Sequence, residues 1–535
     1  MAFSVQYLPY HQTGSFSGLV LDYLQGAFPA EFYQYNPEQG QILKAMENRR
    51  QFPCDRQLLV NHLLASCEGV GLSELTYKNI RDLLSPDTFT VCTAHQPNLF
   101  TGHLYFIYKI LHVIRLAEDL NLAFPQHRFV PVYYMGSEDA DLQELGSFEV
   151  QGRKYQWVTE QTGAVGRMSC DGALIQLINE LEGQLSVEPY GKELITILKE
   201  CYLLGDSIER CTLRLVNTLF GKYGLVIFLP DHSAPKDLFS REFSMEINGS
   251  VSAAMLRQTL VRFPSGYKVQ AEGRDLNLFY LEGNRRERIE PFADGAIRLV
   301  ESGRVLQREE WESALKEHPE RFSPNVILRP LFQEKSLPNI LFVGGGSELA
   351  YWLELKEVFA AFEVHFPILL LRNSFQIFDS VSLARLEKIG LHPREVFHSE
   401  KALEEKLVRA GVGHDLDLET ELQKLAALYE DIRVKASLTD ASLQGHVSAL
   451  EKKAADKIHE LEKKILRAAK RKNTEQLARL KSVLASLRPG GMLQERVENF
   501  MPFYARYGVT FLDDLLENSS GLRQEFGLLL EKTDI

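Results

Sequence analysis

Hydrophobic and polar positions change period several times along the 535 residues, and each change predicts an element. Short, continuous apolar runs bounded by loop residues mark strands buried on both faces. The first covers residues 89–94 and leads into a loop over 95–102. Helical spacing of apolar positions follows from about His103 to Leu120. A second apolar run, 129–135, ends in an acidic loop over 136–141. Strand, loop, helix and strand at this spacing form a βαβ unit, which requires a parallel sheet. Further strand-like runs cover 224–230, 340–343 and 366–371, with a helix predicted from Ser347 to about Phe362. Before about Thr88 the pattern reads as helical, with helix-type spacing over 46–49 and 55–66. Stretches near 148–200 and 250–325 alternate differently and are expected as insertions into one sheet. The expected organisation is an α/β, Rossmann-like parallel core over 1–375, a helical coiled-coil arm over 376–490, and a tail over 491–535 returning to the core.

The arm shows itself from about Leu416. Leu422, Leu425, Tyr429 and Ile432 follow steps of three and four, as do Leu443, Val447, Leu450, Ala454, Ile458, Leu461 and Ile465 after Leu438. Leu477, Leu480, Leu484 and Leu487 continue the seam, which has charged flanks as coiled coils do. The two successive four-steps at Leu450, Ala454 and Ile458 predict a stutter. Arg488, Pro489, Gly490 and Gly491 close the arm.

Composition narrows the function classes. Hydrophobic content of 45% with 25% charged residues is that of a folded globular chain. The net charge of −12 is uneven: residues 450–490 hold twelve Lys and Arg against five Asp and Glu, leaving −19 on the remainder. An acidic body with a basic arm argues against nucleic acid as a partner. On the arm, Lys463, Lys464, Arg467, Lys470, Arg471 and Lys472 read as a solvated helix face or as a local anion site. No run approaches the roughly 20 apolar residues of a membrane helix. The start, from Met1 and Ala2 to Tyr7, lacks the pattern of a signal peptide, so a cytoplasmic protein is expected. Six cysteines without a Cys-x-x-Cys pair argue against a disulfide framework and a structural zinc site, and no metal ligand set is predicted.

In open parallel sheets, ligands bind where loops leave the carboxyl ends of strands. Four segments are candidates for such a site. The first loop offers His95, Gln96, Asn98, Thr101 and Gly102 ahead of a helix end that favours an anion. A helix cap and a turn would explain Thr101 and Gly102 equally. Glu138, Asp139 and Asp141 group carboxylates suited to proton transfer, an ammonium group or Mg²⁺, or to a capped acidic turn. Gly344, Gly345 and Gly346, with Glu348 and Tyr351 behind them, form a glycine turn where a ligand can approach the backbone, or equally a simple tight turn. Arg329, with Gln333 one turn on, offers a guanidinium fork for a carboxylate, or is an arginine fixed by a neighbouring acid for stability. Arg285, Arg286 and Arg288 form a charged cluster expected at the surface of an insertion.

The chain resembles the family of cysteine-adding enzymes of bacillithiol biosynthesis over nearly its whole length. The likeness rests on Ala94-His-Gln-Pro-Asn-Leu-Phe-Thr-Gly102 with Tyr105 and Lys109, and on Val130-Pro-Val-Tyr-Tyr-Met-Gly-Ser-Glu-Asp-Ala-Asp141. Asn277-Leu-Phe-Tyr280 with Arg285–Arg288, Ser323-Pro-Asn-Val-Ile-Leu-Arg-Pro330 and Gly344-Gly-Gly-Ser-Glu-Leu-Ala-Tyr-Trp352 extend it, and Leu487-Arg-Pro-Gly-Gly-Met-Leu-Gln-Glu-Arg496 completes it. The resemblance implies a Rossmann core with two inserted connective subdomains, a coiled-coil domain and a homodimer formed through that arm. It implies a ligase joining cysteine to the amine of glucosaminyl malate, with ATP or ADP and Mg as cofactors. At His95, His103 and Ala140 the chain departs from the family's common residues, so neither His is expected as an obligatory catalyst. Two rival readings are a Rossmann nucleotidyltransferase, suggested by Thr101-Gly102-His103, and a non-catalytic nucleotide-binding scaffold.

Overall fold

The computed structural model describes residues 3–411 and 418–532, and contains two compact units. One comprises 3–376 with 493–532, and the other 377–411 with 418–492. Met1, Ala2 and Leu416, on which part of the sequence reading falls, lie outside the described residues.

The first unit is built on a five-stranded parallel sheet. Its strands are β1 (Thr88–His95), β2 (Arg128–Met135), β3 (Val226–Phe228), β4 (Asn339–Gly344) and β5 (Ile368–Leu371), in the order β5-β4-β1-β2-β3. Every residue of β4 and β5 is buried, and all of β1 except His95, which is why these strands read as continuous apolar runs. Pairing places Thr93 opposite Tyr133 and Val343, and His95 opposite Met135. Helix α1 (Tyr105–Ala123) follows β1 and buries Phe106, Ile107, Ile110, Leu111, Ile114 and Leu116. From central β1 the chain steps outward to β2 and β3 on one side, then returns to build β4 and β5 on the other. The reversal between β1 and β4 opens a crevice at their carboxyl ends.

Several elements differ from the sequence expectation. The chain begins with a strand, Phe3–Leu8, not a helix; it pairs antiparallel with Phe526–Glu531 at the far end of the sequence. No local period reveals a partner so distant. The helix expected from Ser347 to Phe362 is two helices, Gly346–Trp352 and Lys356–Ala361. The break leaves Glu354 facing inward, where its carboxylate accepts the N–H groups of Gln270 and Ala271 at 2.8 Å each. Between 278 and 324 lies a second, antiparallel five-stranded sheet, which brings Arg286 and Pro324 toward the crevice.

In the second unit, Glu419–Thr439 and Leu443–Lys472 fold back on each other across a three-residue connection, with Arg433 paired to Glu451. Thr474–Leu487 follows after a break at Asn473. The seam predicted as one arm is therefore a hairpin plus a third helix. Leu422, Leu425, Tyr429, Ala454 and Ile458 are half-buried, and Val447 is buried. Among the described residues, no helix is long and apolar enough to cross a membrane.

Candidate active site

The carboxyl ends of β1, β2, β4 and β5 surround a cavity of about 480 Å³. This lies within the ~300–1,000 Å³ range of small-molecule sites. Ala94, His95 and Gln96 enter it from β1, Tyr134, Gly136, Glu138 and Asp139 from β2, Gly345 to Glu348 from β4, and Arg372 from β5. Lys109 and Tyr105 reach it from α1, Arg286 and Asn325 from the antiparallel sheet, and Arg496 from the returning chain.

Many of its charges are already committed. Lys109 Nζ, almost fully buried, pairs with Glu348 and donates to the carbonyl of Ala94 at 2.9 Å. Burial pulls its pKa down against the pull of Glu348. Arg372 grips Glu495 through two parallel hydrogen bonds of 2.7 and 3.0 Å, with both side chains at most 4% exposed. Glu138 pairs with the fully buried Lys236, which also faces Asp231 at 3.4 Å. Burial raises the Glu138 carboxyl while Lys236 opposes the rise.

Three cations stand apart from this. Among the described residues, Arg286, Arg329 and Arg496 have no carboxylate within ion-pair distance. Arg329 donates from one terminal nitrogen to Gln333 Oε1 at 3.1 Å and from the other to the Tyr351 hydroxyl at 2.8 Å. Its guanidinium also lies 5.5 Å from the centre of the Tyr134 ring. Arg286 stacks on Phe279 at 3.7 Å, and burial lowers its pKa. Opposite in sign are Asp139 and Glu144, neither with a cation in ion-pair range among the described residues. Asp139 accepts from Gln96 Nε2 at 3.2 Å. Burial, then Asp141 and Asp139, raise the Glu144 carboxyl. The His95 ring has a buried Nε2 without a partner; burial foremost, then the charge of Lys109, keeps it neutral.

The cavity thus gathers His95, Gln96, Glu138, Asp139, Arg329, Gly345, Gly346, Glu348 and Tyr351 from the residues singled out in the sequence. The others stand off its wall. Asp141 is exposed and caps a short helix, its Oδ1 accepting from Glu144 N at 3.0 Å. Asn98, Thr101 and Gly102 form a strained turn, with φ of 69° at Thr101 and 64° at Gly102. Asn499 pins this turn by donating to the carbonyls of Phe100 and Gly102 at 2.9 and 2.5 Å. That placement gives them a conformational task and leaves the Thr101-Gly102-His103 motif away from the cavity. Gln333 is buried behind Arg329. Gly344 packs against Phe342 and Leu349, where an added Cβ would sit 2.8 and 2.9 Å from their side chains. Nor is the glycine turn open to an outside anion, because Glu348 accepts the Gly345 N–H at 2.8 Å and supplies the negative charge itself.

Sequence reasoning did not single out Tyr105, Lys109, Glu144, Arg286, Arg372 and Arg496 as site residues. Arg372 carried a usable signal, being the first residue after an apolar run that ends at the same sheet edge. Arg286 carried a misleading one, since its charged neighbours suggest open surface.

The comparisons agree with this architecture. Residues 3–373 match the model described as "Bacillithiol biosynthesis BshC, N-terminal Rossmann-like domain", and 375–531 match its "C-terminal coiled-coil domain". A Flavobacterium johnsoniae protein named "Putative cysteine ligase BshC" is 34% identical over 525 residues, covering 98% of this chain and 99% of that protein. One of the same name from Christiangramia forsetii is 37% identical over 534 residues, with 98% of both chains covered. With both halves matched in order and relatives aligned end to end, the chain belongs to the bacillithiol biosynthesis BshC family.

Proposed function

We propose that this protein is a ligase that forms an amide between the carboxylate of cysteine and the amine of glucosaminyl malate, completing bacillithiol. The observation that carries the reading is one cavity holding two opposed sets of uncommitted charge. The guanidinium groups of Arg286, Arg329 and Arg496 line the cavity without carboxylate partners among the described residues, and Asp139 and Glu144 lack cations there. A substrate with carboxylates at one end and an ammonium group at the other is complementary to that arrangement. The names of the relatives point to the same chemistry.

Arg329 holds a malyl carboxylate, its fork kept in place by Gln333 and Tyr351. Asp139 and Glu144 hold the ammonium group. An ammonium nitrogen has no lone pair, so a proton must leave before it can attack. The carboxylate of Glu144, with its raised pKa, accepts that proton most readily. Glu138 and Asp141 do not share this task, one being bound to Lys236 and the other to a helix end.

A carboxylate is a poor electrophile, and the cofactor we propose is ATP with Mg²⁺. Arg286 and Arg496, which the malyl carboxylate does not use, suit its phosphates, and those phosphates would bring the Mg²⁺ with them. When bound, ATP supplies the activation that makes the cysteine carboxyl reactive. We place the reaction in the cytoplasm; all six cysteines are free thiols, as a reducing compartment maintains. We also propose a homodimer through the helical unit, where Leu428, Ile432, Leu438, Leu450 and Leu461 are 40–84% exposed.

The decisive experiment is mass spectrometry of purified protein with glucosaminyl malate, cysteine and Mg-ATP, each omitted in turn. A cysteinyl amide that requires every component is the expected result. Substrate binding without product in any mixture would refute catalysis by this chain alone and favour the scaffold reading. Arg329→Ala should raise KM for glucosaminyl malate about tenfold or more, the loss of one charge-assisted contact. An unchanged KM would remove Arg329 from the substrate site.

A further inference from the structure

Behind the cavity wall, a carboxylate that touches no substrate determines where Arg329 points. Helix α2 (Arg329–Ser336) carries Arg329 at its first position, Gln333 one turn later and Glu334 beside it. Gln333 and Glu334 are 0% and 1% exposed, and neither lines the cavity.

The hydrogen bonds leave only one consistent arrangement. A guanidinium donates and cannot accept, so Gln333 must present Oε1 to Arg329. Its Nε2 then needs an acceptor, and Glu334 Oε1 provides it at 2.8 Å. Asn339, at the start of β4, is constrained from the Glu334 side. A carboxylate oxygen accepts, so its Nδ2 turns to Glu334 Oε1, at 2.8 Å, and its Oδ1 is left to accept the Thr90 hydroxyl at 3.2 Å. Two amides, each able to flip, are thus fixed by a single carboxylate oxygen. One is anchored to the sheet, the other to the arginine at the cavity.

Taking the carboxylate-binding role of Arg329 proposed above, we propose that Glu334 is a positioning residue for that group. It holds the Gln333 amide in the one orientation that keeps the Arg329 guanidinium facing the substrate. Removing the acceptor leaves the buried Gln333 NH₂ unpaired, and an amide that shifts to satisfy it withdraws Oε1 from the Arg329 fork. The charged and titratable groups facing Glu334 are few. Arg49 donates to its backbone carbonyl at 3.3 Å, Arg329 lies beyond Gln333, and the buried Cys92 thiol lies on β1.

Two variants separate positioning from bulk structure. Glu334→Gln keeps an acceptor at Oε1 but removes the ionisation, whereas Glu334→Leu keeps the volume and removes the acceptor. Glu334→Leu is expected to raise KM for glucosaminyl malate about tenfold, with kcat largely kept. Combined with Arg329→Ala, it should add nothing further. Glu334→Gln should keep KM near that of the parent. Crystal structures of the two variants should show the guanidinium displaced in Glu334→Leu and in place in Glu334→Gln. An undisplaced guanidinium with unchanged KM in folded Glu334→Leu would overturn the proposal, as would effects that simply add to those of Arg329→Ala. A displaced guanidinium with KM unaltered in both Arg329→Ala and Glu334→Leu would instead refute the carboxylate role of Arg329, and leave the positioning intact.

Discussion

At Gly102 the backbone adopts φ 64° and ψ −127°, a region that side chains exclude. An alanine Cβ there would lie 2.8 Å from Cβ of Asn98, so the turn has no space in which to relax. Gly102→Ala should cost about 3 kcal/mol of stability, read as a lowered thermal midpoint. A midpoint equal to that of the parent would show that the turn tolerates a side chain. Glu334 offers a second test at this scale. Burial raises its pKa from 4.5 to about 7, so the folded protein holds a proton that the unfolded chain releases. That contribution is complete below about pH 4.5 and is lost as pH rises through 7. Relative to Glu334→Gln, the parent should therefore lose about 3 kcal/mol between acidic and mildly alkaline pH. Parallel stability profiles for the two proteins would contradict the raised pKa.

Single elements deliver the site through their ends. The helix Gly346–Trp352 begins with Glu348 folded back onto the Gly345 N–H, and the same carboxylate neutralises Lys109 on α1. Glu348→Ala would leave a buried ammonium with only the carbonyl of Ala94, a loss of about 3–5 kcal/mol measurable by denaturant unfolding. A loss below about 1 kcal/mol would mean that Lys109 sheds its charge instead. These ends also explain what the sequence makes legible. The buried parallel strands announce themselves as apolar runs, so β1, β2, β4 and β5, and the loops leaving them, could be located. His95, Gln96, Glu138, Asp139 and Gly345 follow directly from those loops. Lys109 could not be found in this way, because it lies inside a helix whose spacing marks it only as a position in the buried face. The strand Phe3–Leu8 was hidden for a related reason: its partner, Phe526–Glu531, lies at the opposite end of the chain. Asn98 and Thr101 misled because a polar loop residue that shapes backbone looks, in one dimension, like one that touches ligand.

On the scale of the whole molecule, the helical unit interrupts the first unit in sequence: 3–376 and 493–532 form one unit although it separates them along the chain. Its exposed Leu428, Ile432, Leu450 and Leu461 should be covered in the homodimer. Light scattering is expected to give twice the 61.0 kDa of one chain, and Leu450→Lys to shift it toward the monomer. A monomeric parent would end that reading. The interruption also imposes an order on synthesis. Arg372 emerges from the ribosome well before Glu495, the carboxylate that neutralises it. At ordinary elongation rates the delay is on the order of ten seconds, and a core that closed in that interval would bury an uncompensated guanidinium. A message cut short anywhere before Glu495 therefore yields a chain lacking both the counter-charge of one cavity arginine and the whole of another, Arg496.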